Sequence, residues 1–219
     1  PPPQDLVLSP IRSEGESSST NTVDVLEYLA RRASAQIVVH SSIKRPTWKH
    51  SPLPSSDYTL VLADSNGASW DDAVLPDRVL VDVFKGARIR DAVSILQKSN
   101  LSAGSANNII VAMGLNDRSH PILEDTLLDL QSLIDWSKER GVVVAFLEIP
   151  IFPDSLSPET CANIRFINNG ARDLFITKFI SIDQAAIRSN PLDSTGIHYQ
   201  SHSAKHVVCQ ITSFLNFLL

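Results

Sequence analysis

The chain has 219 residues, 43% of them hydrophobic and 20% charged, and a formal net charge of −5. That length can bury one sizeable core beside a tail. The acidic balance argues against a broad phosphate-binding surface, and no apolar run approaches the ~20 residues of a membrane-spanning helix.

The two cysteines, Cys161 and Cys209, have no metal-ligand spacing and are too few for a disulfide framework. They read as buried thiols, which fits a reducing compartment. The chain begins Pro-Pro-Pro rather than with methionine. It is expected to be a piece of a longer protein or a processed product, so a removed signal peptide stays open.

Residues 1–21 are rich in Pro and Ser, with Glu14 and Glu16 among them. This is the composition of a flexible linker, and residues 22–219 are expected to form a single domain. Thr22 to Ala35 has a helical stripe of Val25, Leu26, Leu29 and Ala30. Ile37 to His40 is short and β-branched. Pro46, Pro52 and Pro54 make Ile43 to Ser56 a connection. His40, Lys44, Arg45, Lys49 and His50 read there as solvated surface.

From Tyr58 onward strands alternate with helices. Strand-like runs stand at Tyr58–Ala63, Val79–Phe84, Asn108–Ala112, Val142–Leu147 and Phe179–Ile182. Helical patterns lie at Ile89–Leu96, Ile122–Arg140, Pro158–Phe175 and Ser201–Leu218. Their expected stripes include Leu123, Leu127, Leu130 and Ile134 on the second, and Val207, Ile211, Phe214 and Leu218 on the last. Gly141 reads as a helix stop. The alternation implies an α/β domain with a parallel sheet covered on both faces.

In open parallel sheets chemistry sits beyond the carboxyl ends of the strands. The first run stops at Asp64-Ser65-Asn66-Gly67, the second at Lys85-Gly86 and the third at Gly114-Leu115-Asn116-Asp117. Asp193-Ser194-Thr195-Gly196-Ile197-His198 precedes the last helix. A parallel sheet would gather these turns on one edge. Acyl transfer uses such groups: a serine to attack a carbonyl, a histidine to move its proton, and fixed donors for the oxyanion. Singly, each has a plainer reading. Ser65 can belong to an Asx turn, Gly86 to a turn, Asn116 and Asp117 to a cap of the following helix, and His198 to a helix start.

Together these stretches resemble the SGNH (GDSL-like) hydrolase family over residues 58 to 218. Ala63-Asp64-Ser65-Asn66 is similar to its first block, Gly86 to the second-block glycine, Gly114-Leu115-Asn116-Asp117 to the third block, and Gly196-Ile197-His198 to the end of the fifth. The resemblance implies a flavodoxin-like α/β/α sandwich with a five-stranded parallel sheet. It implies a serine esterase for short-chain or lipid-like esters, with no metal and no cofactor. Ser65 would be the nucleophile and His198 the base. Ser65, Gly86 and Asn116 would form the oxyanion hole, and Asp64 would fix the turn by local hydrogen bonds.

A narrower resemblance joins Val61–Ser65, the Val-Phe-Lys-Gly-Ala stretch, Ile110–Arg118 and Ile197-His198-Tyr199. These are similar to esterase domains of vertebrate retrotransposon proteins, including first-open-reading-frame proteins of LINE elements. That implies a cytoplasmic ribonucleoprotein setting. Self-association and RNA contacts would come through other parts of a larger protein, and a lipid or membrane surface is a further partner.

Two positions depart from the family pattern. Ala63 stands where glycine is usual, which is tolerable at negative φ. The usual acid three residues before the histidine is Thr195 here, and Asp193 lies five before His198. Asp193 is the candidate orienting acid, with Thr195 or a backbone carbonyl as the substitute. Removing a triad acid can cost ~10⁴ in rate. A second reading therefore stands beside the esterase: a weakly active or inactive hydrolase-fold module for lipid-surface binding, self-assembly or ribonucleoprotein assembly. A nucleotide binder is disfavoured, because no Gly-x-Gly-x-x-Gly follows the first strand. His202 and His206 read as helix surface and His120 as loop. Phe84, Met113, Leu115, Ile151 and Phe152 are expected to flank the site.

Overall fold

The computed structural model describes residues 47–48, 58–72, 76, 79–98, 106–188, 198–199 and 201–218. They fall within the compact unit Val39–Leu219. The expected linker at 1–21, the helix at Thr22–Ala35 and the Ile37–His40 run lie outside the described residues.

The strands are β1 (Thr47–Trp48), β2 (Tyr58–Ala63), β3 (Val79–Val83), β4 (Ala106–Ala112), β5 (Val143–Leu147) and β6 (Phe179–Ile180). The helices are α1 (Ile89–Lys98), α2 (Leu123–Arg140), α3 (Pro158–Phe175), α4 (Gln184–Arg188) and α5 (Ser201–Leu218). The sheet order is β1-β3-β2-β4-β5-β6. From β2 to β6 all pairings are parallel, which is the expected five-stranded sheet. β1 adds a two-residue antiparallel edge, Thr47 opposite Val83 and Trp48 opposite Asp82. It falls in the stretch expected to be a connection; two residues beside a proline are too short to show a period.

Successive strand residues face opposite sides of a sheet. Leu60, Leu62, Ile109 and Val111 pack on the side of α1, α2 and α3. Val61, Ala63, Ile110 and Ala145 pack on the side of α5, with Val207 and Ile211. All of β2 is buried, as a central parallel strand requires. The result is a three-layer α/β/α sandwich.

Several expectations change in detail. In α2 the buried face centres on Leu130, Leu133 and Trp136, while Leu123, Leu127 and Ile134 are only partly buried. Leu218, expected on the stripe of α5, is exposed. Cys161 is buried but Cys209 is exposed, against the expectation of two buried thiols. Cys209 follows buried Val208 by one residue, and the helical turn carries it off the packed face.

The helix ends follow their sequence signals. Ser157 caps α3, accepting the N–H of Thr160 at 3.1 Å with Pro158 in the first turn. Gly141 ends α2 at φ 66°, and its N–H donates to the carbonyl of Ser137.

Candidate active site

The strand order reverses around β2, with β3 on one side and β4 on the other. Strand ends splay at such a point and leave a crevice. The chain leaves β2 in a 3₁₀ turn, Ser65–Asp72. The turn is tied down at its start: the N–H of Gly67 donates to the carbonyl of Asp64 at 3.1 Å, and the N–H of Asp64 reaches the carbonyl of Ala112 in β4 at 3.2 Å.

Gly67 is dictated by packing. A Cβ there would lie 2.4 Å from the Cβ of Ala63. The Ala63 methyl thus sits over a residue with no side chain. Ala63 is not among the positive-φ residues, so its side chain brings no backbone strain.

Ser65 is half-buried between two buried polar neighbours. Asp64 accepts the N–H of Asn66 on Oδ1 at 2.9 Å. It also accepts the backbone N–H of Leu115, across the crevice. Burial pushes Asp64 up to about 6, against the opposing pull of those two amides and of the nearby His198 and Arg118 side chains. Asn66 turns its side chain the other way and accepts the N–H of Tyr199 on Oδ1 at 3.3 Å. That bond fixes the residue next to His198. The imidazole Nε2 of His198 lies 3.0 Å from the Oγ of Ser65, across 133 positions of chain. This is hydrogen-bond reach for a nucleophile and its base.

The second-block turn runs Phe84–Ala87, with the N–H of Ala87 donating to the carbonyl of Phe84 at 3.0 Å. Gly86 occupies its third position at φ 78°, which suits glycine. The third-block turn is the 3₁₀ segment Leu115–Ser119. Asn116 donates from Nδ2 to the carbonyl of Ala87 at 2.9 Å, tying the two turns together. A carboxamide has two N–H donors, so this bond engages one and leaves the other. Asp117 does not cap the helix that follows it. It is buried and accepts the N–H of Ile89, the first residue of α1, at 3.0 Å. Burial pushes it up to about 7, opposed by the Ile89 amide and Arg88 and reinforced by Asp129 and Asp91.

Ser65, Asp64, Asn116 and His198 therefore meet at one end of the sheet, beside the Gly86 turn. Asp193 and Thr195 lie outside the described residues. Asp64, Trp70, Met113, Glu148, Ile149 and Tyr199 line a small cavity. Of the residues expected to flank the site, Met113 and Leu115 line this cavity, while Phe84, Ile151 and Phe152 are core. Asn66 and Tyr199 had no assigned part in the sequence reading, although each adjoins a residue that did.

No protein-family model and no curated protein matches the chain. Solved structures do. The fold is the α/β fold of SGNH-type esterases and acylhydrolases. Among them is the C-terminal catalytic domain of peptidoglycan O-acetyltransferase A from Streptococcus pneumoniae. It superposes with a TM-score of 0.57 at 16% identity, over 74% of this chain and 94% of that one. The psychrotrophic esterase EstA from Pseudoalteromonas sp. gives 0.58 at 15% identity, over 74% and 97%. A GDSL-like lipase from Bacteroides thetaiotaomicron gives 0.58 at 12% identity, over 89% and 98%.

Proposed function

We propose that the chain is a serine esterase of the SGNH type. The observation that carries the reading is the 3.0 Å contact between Ser65 Oγ and His198 Nε2 at the switch point of a parallel sheet. Ser65 Oγ attacks the ester carbonyl while His198 Nε2 takes its proton. The tetrahedral oxyanion is held by the N–H groups of Ser65 and Gly86 and by the remaining amide hydrogen of Asn116. Collapse expels the alcohol, which takes the proton from His198. Water then attacks the acyl-enzyme with His198 as base. Asp193 is assigned to orient the imidazole. Asp64 holds the turn through the amides of Asn66 and Leu115.

The substrates are short-chain or lipid-like esters. Acyl chemistry in structural neighbours named as an esterase, an O-acetyltransferase and a lipase supports this class. The retrotransposon-like local sequences support a place within a ribonucleoprotein of such an element, at a lipid surface, with RNA contacts and self-association supplied by other parts of a larger protein.

The test is hydrolysis of p-nitrophenyl acetate by the wild type beside Ser65→Ala, His198→Ala and Asp193→Ala. Turnover lost in the first two and reduced in the third is expected. A wild type no faster than Ser65→Ala refutes the esterase.

A further inference from the structure

The third-block turn carries Asn116, and helix α3 packs against it. Beyond β5 the chain leaves the ladder. The N–H of Glu148 still pairs with the carbonyl of Ile180 at 2.9 Å. The next residue, Ile149, has its backbone served by a side chain. Asn168 of α3 donates from Nδ2 to the carbonyl of Ile149 at 2.8 Å and accepts the N–H of Ile149 on Oδ1 at 2.9 Å. Asn168 is only 2% exposed and sits on the buried face of α3, between Ile164 and Ala171. A carboxamide offers a donor and an acceptor side by side, as a neighbouring strand would.

The side chain of Ile149 so fixed lies over Gly114. A Cβ on Gly114 would stand 2.5 Å from Ile149 Cδ1 and 2.9 Å from Cγ1. Gly114 has φ 141°, outside the range of ordinary side-chain-bearing residues, and it opens the turn that carries Asn116. The same helix holds the far end of that turn, where Asn163 donates from Nδ2 to the carbonyl of Arg118 at 2.9 Å.

We propose that Asn168 is a positioning residue for the oxyanion hole. It fixes Ile149, Ile149 wedges Gly114, and the wedge sets where the Asn116 amide points. The inference rests on the esterase reading and adds a residue to its machinery. An oxyanion donor contributes about 10²–10³ in kcat, and a misplacement of about 1 Å can cost about 10².

The experiment is a double-mutant cycle on p-nitrophenyl acetate. Asn168→Ala and Ile149→Ala are made singly and each with Asn116→Ala. Ile149→Ala leaves both bonds of Asn168 in place, so it tests the wedge even where Asn168→Ala does not fold. Thermal melting shows which variants are folded. Each folded single variant should lose about 10- to 100-fold in kcat with KM changed less than about twofold. In the Asn116→Ala background the further loss should shrink below about threefold, because the positioned group is gone. Losses that multiply with that of Asn116→Ala, that fall on KM, or that do not occur overturn the proposal while leaving the esterase intact. A wild type no faster than Ser65→Ala overturns both.

Discussion

A carboxylate oxygen of Asp117 accepts the backbone N–H of Ile89 at 3.0 Å, joining the third-block turn to the first residue of α1. The bond does two things at once. It caps a helix N-terminus by accepting a free N–H, and it ties down the residue next to Asn116. The same helix start is closed from within, since the N–H of Arg88 donates to Asp91 Oδ2 at 2.8 Å. Asp117→Ala should lower stability by about 1–2 kcal/mol, as lost caps do, and should lower kcat as well. Asp117→Asn keeps the acceptor and should spare most of both. Urea unfolding midpoints beside esterase rates check this.

Asp82 makes a sharper prediction. By alternation along β3 it faces the side of Leu80 and Phe84, it is 0% exposed, and among the described residues neither carboxylate oxygen has a hydrogen-bond partner. Burial pushes it from 3.8 to about 6. The folded state thus holds the proton more tightly than the unfolded chain. Stability falls as pH rises between about 4 and about 6, and the penalty stays above that window. Asp64, at about 6, and Asp117, at about 7, add in the same direction and extend the window toward neutrality. Asp82→Val should stabilise the protein at pH 8 by on the order of 2 kcal/mol. The gain should shrink toward pH 4. Thermal melts at the two pH values read the difference, and equal gains at both would contradict the charge as its cause.

Ala63 and Gly67 are coupled by space. Gly67→Ala places two β-carbons 2.4 Å apart in the buried turn that carries Ser65. It should cost about 1–3 kcal/mol, the usual range for overpacking, and should depress kcat through Ser65. Ala63→Gly removes the opposing methyl. In the double variant most of the Gly67→Ala cost should be recovered, which chemical denaturation of all four proteins would show.

Much of this architecture is legible along the chain. Among the described residues, five of the six strands and the four long helices follow from apolar runs and helical spacing, because a buried parallel strand and an amphipathic helix each impose a period. The meeting of Ser65 with His198 follows from where their stretches fall relative to strand ends. Other features leave little trace. β1 is two residues long. The buried face of α2 is set by how the helix rolls against α1 and α3, so Leu133 and Trp136 replace part of the expected stripe. Asp117 caps a helix 28 positions earlier in the chain, a pairing no local pattern encodes. Asn168 did leave a sign: a polar residue on the buried stripe of Ile164, Ile167 and Ala171. Its partner at Ile149 is known only once the helix is packed.

The central claim is that Ser65 is a nucleophile activated by His198. The most direct measurement is intact-protein mass after exposure to p-nitrophenyl diethyl phosphate, followed by peptide mapping. A reactive serine is expected to take one diethylphosphoryl group, located on Ser65. Ser65→Ala should take none, and His198→Ala should label far more slowly. An unlabelled wild type, or a label that persists in Ser65→Ala, would contradict the claim.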